Sequence, residues 1–186
     1  MTALACFGDS LVYGFPFSSD YSWTAVLEKK YGIKIINEGV CGATTDDILD
    51  NMRYTPLPEG VKNVLFFGGA NDVIQGCPVK ATLDTIERVK RLAAEKGWKL
   101  CLVLPLLSGE YLANQKIHTL REELGKQSGV FILDLQPAVG IREDELRKAY
   151  IDGWHPKAGV YEKMGEYAGP ILTEWLGMDA EKSSVS

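Results

Sequence analysis

A serine stands just past the chain's first apolar run, in Phe7-Gly8-Asp9-Ser10-Leu11. Residues 4–7 have the length and character of a buried parallel strand, and Gly8 breaks the run. In an open α/β sheet, ligands collect at the carboxyl ends of the strands, which is where Ser10 falls. A serine hydroxyl is a poor nucleophile until a base takes its proton. The chain offers two histidines, His118 and His155. His118 follows Ile117 on an expected helix, has no motif around it, and reads as a solvated helix residue. His155 is the better base: Asp152 stands three residues before it and Pro156 directly after it. In so short a loop the aspartate can reach the far ring nitrogen, fix the tautomer and support an imidazolium. The competing role for Asp152 is to cap the final helix.

Acyl chemistry at Ser10 also needs donors for a developing oxyanion. Three sources stand out: backbone N–H groups at the start of the helix after Ser10, the backbone at Gly42, and the side-chain amide of Asn71. Gly42 follows the second expected strand, where a residue without Cβ lets an N–H approach a ligand. Asn71 follows the third, in Gly68-Gly69-Ala70-Asn71-Asp72. Taken singly, Gly42 and Asn71 are ordinary turn residues. Their occurrence at successive strand ends favours the joint reading.

The supporting elements are read from hydrophobic period. Apolar runs at 4–7, 33–36, 61–67, 98–104 and 130–133 predict five strands. Helical spacing predicts helices over 21–30, from Thr44 or Thr45 onward, over 79–96, around Ala113, Ile117, Leu120 and Leu124, over 142–148, and over 156–176. Pro156 suits a first helical position, and Pro170 lies where it can kink the last helix. Strands alternating with helices predict a three-layer αβα sandwich. A five-stranded parallel sheet in the flavodoxin-like order 2-1-3-4-5 puts Ser10 and Asn71 on either side of one crevice. Residues 1–178 read as a single domain, and 179–186 as a frayed tail.

Composition narrows the function classes. The chain has 186 residues, enough for one full core, with 46% hydrophobic and 24% charged residues, a globular mixture. A net charge of −5 without a basic cluster argues against a nucleic-acid surface. No stretch approaches the ~18 apolar residues of a membrane span, and the N-terminus lacks the charged and apolar regions of a secretory signal. Cys6, Cys41, Cys77 and Cys101 show no C-x-x-C or metal-ligand spacing, so reduced thiols and a cytoplasmic location are expected. Cys41 beside Gly42 is a rival nucleophile, though a structural thiol is the simpler reading. Asp9 as a phosphoryl acceptor lacks an acidic metal-binding set and is better read as shaping the turn before Ser10. Neither the G-x-S-x-G elbow nor a G-x-G-x-x-G fingerprint is present.

Four blocks in order carry a resemblance. Gly8-Asp9-Ser10-Leu11-Val12-Tyr13-Gly14 fits Gly-Asp-Ser-x-x-x-Gly, and Gly42 lies in a matching glycine block. Gly69-Ala70-Asn71-Asp72 fits Gly-x-Asn-Asp, and Asp152-Gly153-Trp154-His155-Pro156 fits Asp-x-x-His. With these the chain resembles the GDSL-type esterases/lipases, the SGNH hydrolase family, and most of all its bacterial thioesterase/lysophospholipase branch. The resemblance implies Ser10 as nucleophile, His155 as base and Asp152 as its partner. It further implies an oxyanion hole of the Ser10 and Gly42 N–H groups and the Asn71 amide, with no metal or organic cofactor. It departs from the family at Lys157, where relatives often carry Asn, and at bulky Trp154. Neither touches the implied catalytic set, and both are expected to reshape the leaving-group side of the cleft.

The expected substrate is a small molecule with a short-acyl carboxylic ester or thioester. A carbohydrate O-acetyl ester is the enzymatic alternative. A non-catalytic αβα binding module and a flavodoxin-like cofactor binder are the non-hydrolytic ones, because fold alone does not fix function. Tyr13, Phe15 and Phe17 can wall an acyl or aryl pocket, or simply pack their loop on the core. Leu106 and its neighbours after the fourth strand offer another wall, and Trp154 is a further candidate for substrate contact.

Overall fold

The computed structural model describes residues 2–178; the tail read as frayed lies outside them. Strands Ala3–Gly8 (β1), Lys34–Gly39 (β2), Asn63–Phe67 (β3), Lys99–Val103 (β4) and Phe131–Leu133 (β5) pair in parallel in the order β2-β1-β3-β4-β5. This is the expected order. It arises because each strand sends alternate side chains to opposite faces, and both faces are covered. Leu4, Cys6, Leu65, Phe67, Cys101 and Val103 join one core cluster, and Ala5, Phe7, Val64, Phe66, Leu100 and Leu102 the other.

The first cluster is closed by helices Ser10–Tyr13 (α1), Trp23–Tyr31 (α2) and Ala158–Trp175 (α9), through Val12, Trp23, Leu27, Tyr161, Met164 and Leu172. The second is closed by Thr45–Tyr54 (α3), Val79–Lys96 (α5) and the end of Tyr111–Gly125 (α6), through Ile48, Met52, Ile86, Val89, Leu120 and Leu124. Their ends carry the expected signals. Thr44 and Asp47 form a capping box on α3, and Gly32 closes α2 with φ +68°. Between the long helices lie Ala70–Ile74 (α4), Gln136–Val139 (α7) and Glu143–Ala149 (α8). Among the described residues no helix is long and apolar enough to cross a membrane.

Several boundaries differ from the expectation for identifiable reasons. Residues 10–13, 70–74 and 136–139, where the hydrophobic period marks no helix, are single helical turns too short to show a 3.6-residue period. β2 runs on through Asn37 and Glu38 to Gly39, because its backbone stays paired with β1 as far as Gly8. Pro156 does not open α9. It is buried and pairs in an isolated antiparallel bridge with Tyr150, which requires extended backbone, so the helix starts two residues later behind Lys157.

α1 is held against β2 by an absence of side chain. A Cβ on Gly39 would sit 2.2 Å from the Tyr13 nitrogen and 2.8 Å from the Val12 carbonyl carbon. Both contacts are with backbone, so no rotamer change relieves them. Gly39→Ala is therefore expected to lower the unfolding free energy by about 1–3 kcal/mol, as overpacked sites do. Urea midpoints measure this; an unchanged midpoint would show that α1 is not fixed on β2.

Candidate active site

Ser10 is the first residue of α1. Its cap is Asp9, whose buried carboxylate accepts from Leu11 N–H at 2.9 Å. The Ser10 N–H is one of the helix's unpaired N-terminal donors. Its side chain meets a residue 145 positions away: Ser10 Oγ–H donates to His155 Nε2 at 3.0 Å. On the other edge of the ring, His155 Nδ1–H donates to Asp152 Oδ2 at 2.7 Å. A carboxylate only accepts, so this bond sets the tautomer and leaves Nε2 free to receive the serine proton.

Asp152 holds more than the imidazole. Its Oδ1 accepts from the N–H groups of Trp154 at 3.0 Å and His155 at 2.8 Å, closing the loop on itself. Partial burial works against the charge. The hydrogen bonds from the His155 ring and from these two N–H groups outweigh it and hold the carboxyl below the usual aspartate range. The loop is also tied down from outside. Ile151 N–H donates to the His155 carbonyl at 2.8 Å, and Gly109 N–H donates to the Gly153 carbonyl at 2.7 Å.

Asn71, the second residue of α4, donates one amide N–H to the Ala43 carbonyl at 2.9 Å, which leaves its other N–H free. Gly42 adjoins that carbonyl in the turn after β2, with φ +80°, a conformation L-residues rarely adopt. Among the described residues, neither the Ser10 nor the Gly42 N–H donates to a protein acceptor. Asp72 fixes the same turn from below, accepting from Thr45 N–H at 2.9 Å and from Thr45 Oγ1 at 2.6 Å.

A cavity of about 100 Å³ opens over Ser10, His155 and Asn71. Leu106 and Trp154, expected as walls, line it. Tyr13, the last residue of α1, and Phe17, on the α1–α2 connection, do not; both are more than a third exposed. Phe15 packs instead on the His155 ring, with centroids 4.6 Å apart. Sequence reasoning missed Ala70, Ile74, Ser108 and Tyr150, which also line the cavity. The one local signal was Ile74, three residues after Asn71 on a helical face. Cys41, the rival nucleophile, is exposed, and partial burial of its sulfur together with the Asp9 carboxyl pushes its pKa up. A thiolate nucleophile needs the reverse. The arrangement can move a proton from a serine to a histidine beside a set of unpaired N–H donors, which is the equipment of acyl transfer.

The GDSL-like lipase/acylhydrolase family model matches residues 6–163, from the first strand into the last helix. The chain belongs to that family. Solved structures agree on the fold. A G-D-S-L family protein from Desulfitobacterium hafniense is 26% identical, with a TM-score of 0.81 over 92% of this chain and 100% of that one. A carbohydrate acetylesterase family member from Sinorhizobium meliloti is 20% identical, with a TM-score of 0.74 over 96% and 100% of the two chains. The esterase EstA of a Pseudoalteromonas species is 17% identical, with a TM-score of 0.75 over 95% and 100%. Comparison with curated proteins gives no match. Membership of this family supports a hydrolase activity for the chain.

Asp9 gives the site a pH signature. Burial pushes its carboxyl up, the Leu11 N–H bond opposes this, and the Asp72 carboxyl adds to the rise, leaving it at about 7. Between the ordinary value of 3.8 and about 7 the folded state keeps a proton that the unfolded state has lost. The stability contributed by this group therefore falls as pH rises through that window. Asparagine caps α1 equally well. The Tm of Asp9→Asn minus that of wild type is expected to rise from about pH 4 to about pH 7 and then level off. Thermal melts across that range test it, and a flat difference would contradict it.

Proposed function

We propose that the protein is a serine hydrolase that cleaves the carboxylic ester or thioester bond of small, short-acyl substrates through an acyl-enzyme. The observation that carries this is the unbroken chain of hydrogen bonds Ser10–His155–Asp152 opening on a cavity that also holds Asn71. As Ser10 Oγ bonds to the carbonyl carbon, its proton passes to His155 Nε2. The oxyanion is received by the Ser10 and Gly42 N–H groups and the free N–H of Asn71. His155 then gives the proton to the departing alcohol or thiol, and the acyl group stays on Ser10. Water, deprotonated by His155, attacks that ester and releases a carboxylic acid. Asp152 holds the ring's tautomer throughout and supports its positive charge.

A cavity of about 100 Å³ favours small acyl groups. Leu106 and Trp154 are the proposed substrate-contacting walls, and Ile74 lies with them. The same small volume also suits an acetyl group on a sugar. The likeness to the Sinorhizobium meliloti carbohydrate acetylesterase family member keeps that second reading in view.

The test is an acyl-chain-length panel of p-nitrophenyl esters, CoA thioesters and acetylated sugars, run on wild type and Ser10→Ala. Wild type is expected to show an acyl-enzyme burst, strongest with acetate or butyrate, and Ser10→Ala none. Full activity in Ser10→Ala would refute the assignment. Asn71→Ala is expected to lower turnover about 10²–10³-fold, the usual cost of one oxyanion donor. A loss under about tenfold would remove Asn71 from that role.

A further inference from the structure

Phe15 is joined to both members of the proton-transferring pair. Its N–H donates to the carbonyl of Ser10 at 3.0 Å, so its backbone is anchored on the residue that bears the hydroxyl. Its own carbonyl accepts from Tyr161 Oη–H of α9 at 2.8 Å, and Tyr161 is fully buried. Between these anchors the Phe15 ring lies on the His155 imidazole, centroids 4.6 Å apart and planes inclined at 59°. The residue is 38% exposed, so the core does not account for its place.

The imidazole needs such a contact. Its bonds to Ser10 and Asp152 pin it at Nε2 and Nδ1. A flat ring held at two points still tips about the line between them. Tipping turns the Nε2 lone pair away from Ser10 Oγ and opens the ring to water. A contact on the ring's face removes that last freedom, and tilted aromatic pairs at this separation are mutually attractive. We propose that Phe15 is a positioning residue, whose ring fixes the plane of the His155 imidazole and keeps water from that face. The role rests on the serine-hydrolase reading for its kinetic consequence, but not for its structural one.

The experiment compares wild type with Phe15→Ala, Phe15→Leu and Phe15→Tyr, using p-nitrophenyl acetate and the downfield proton NMR signal of the His155 Nδ1–H. The chain has two histidines, so His118→Gln assigns that signal. Phe15→Ala is expected to lower kcat about tenfold while KM stays within about twofold, because a misplaced base weakens the transition state and not binding. Phe15→Leu, which keeps apolar bulk without a flat ring, shifts the same way and stands in if the alanine variant does not fold. Phe15→Tyr restores most of the rate. The Nδ1 proton signal, sharp in wild type, broadens by exchange in the first two variants and returns with tyrosine.

Unchanged kcat with raised KM would make Phe15 a substrate wall and overturn the proposal. So would an Nδ1 signal that is the same in all four proteins, or absent from wild type. If wild type hydrolyses none of the esters, the hydrolase reading fails, and the proton signal alone decides the role of Phe15.

Discussion

The hydrogen bond between Ser10 and His155 closes a span of 145 residues, yet it cannot hold itself together. A bond of this kind contributes only about 1 kcal/mol net, less than the cost of ordering the two residues that make it. The geometry must come from elsewhere, and it comes from two close backbone approaches. On the serine side, Gly39 lets α1 lie directly on β2. On the histidine side, α9 sinks onto α2 at two glycines: a Cβ on Gly165 would sit 2.6 Å from the Trp23 carbonyl, and one on Gly169 would sit 2.2 Å from the Tyr31 ring. The loop that carries His155 hangs from the front of α9. Its own bridge from Tyr150 to Pro156 and the Tyr150 hydroxyl on the Leu107 carbonyl fix its outer end. Packing sets the distance, and the hydrogen bond reports it.

Much of this was readable before any coordinates because buried parallel strands are continuous apolar runs and long surface helices keep a strict period. The helix expected over 79–96 is Val79–Lys96 to the residue, since Pro78 and Gly97 punctuate a clear apolar stripe. The pairing of Ser10 with Asp152 and His155 was readable for a different reason. Each lies in a short local motif, and the sheet order carries those motifs to one rim. What stayed hidden depends on neither period nor local motif. α1, α4 and α7 span four or five residues, too few to repeat anything. Ser108 and Tyr150 reach the cavity through tertiary packing alone, and nothing around them in sequence marks them. The α1–α2 connection shows the same limit. Three aromatics close to Ser10 read alike as pocket walls, but only Phe15 is tied by hydrogen bonds to Ser10 and Tyr161, and its ring goes to the histidine and not to the cavity.

The donor side of the site is built around the buried side chain of Asp72. Asp72 accepts from Thr45 twice and from Thr82 Oγ1 at 3.3 Å, joining α3, α4 and α5 at one point. Its neighbour Asn71 holds the Ala43 carbonyl, so two adjacent residues of α4 grip the α3 end of the turn that follows β2. These bonds hold Ala43 and Thr45, close to Gly42, against α4, and donors that need no rearrangement are the ones that stabilise a developing oxyanion best. Asp9, on the other side of Ser10, is pushed up to about 7 chiefly by its own burial, against the Leu11 N–H bond, and the Asp72 carboxyl adds to the rise. The donor turn is thus held by hydrogen bonds to one buried side chain, while the raised carboxyl beside Ser10 owes more to its own burial than to its neighbour.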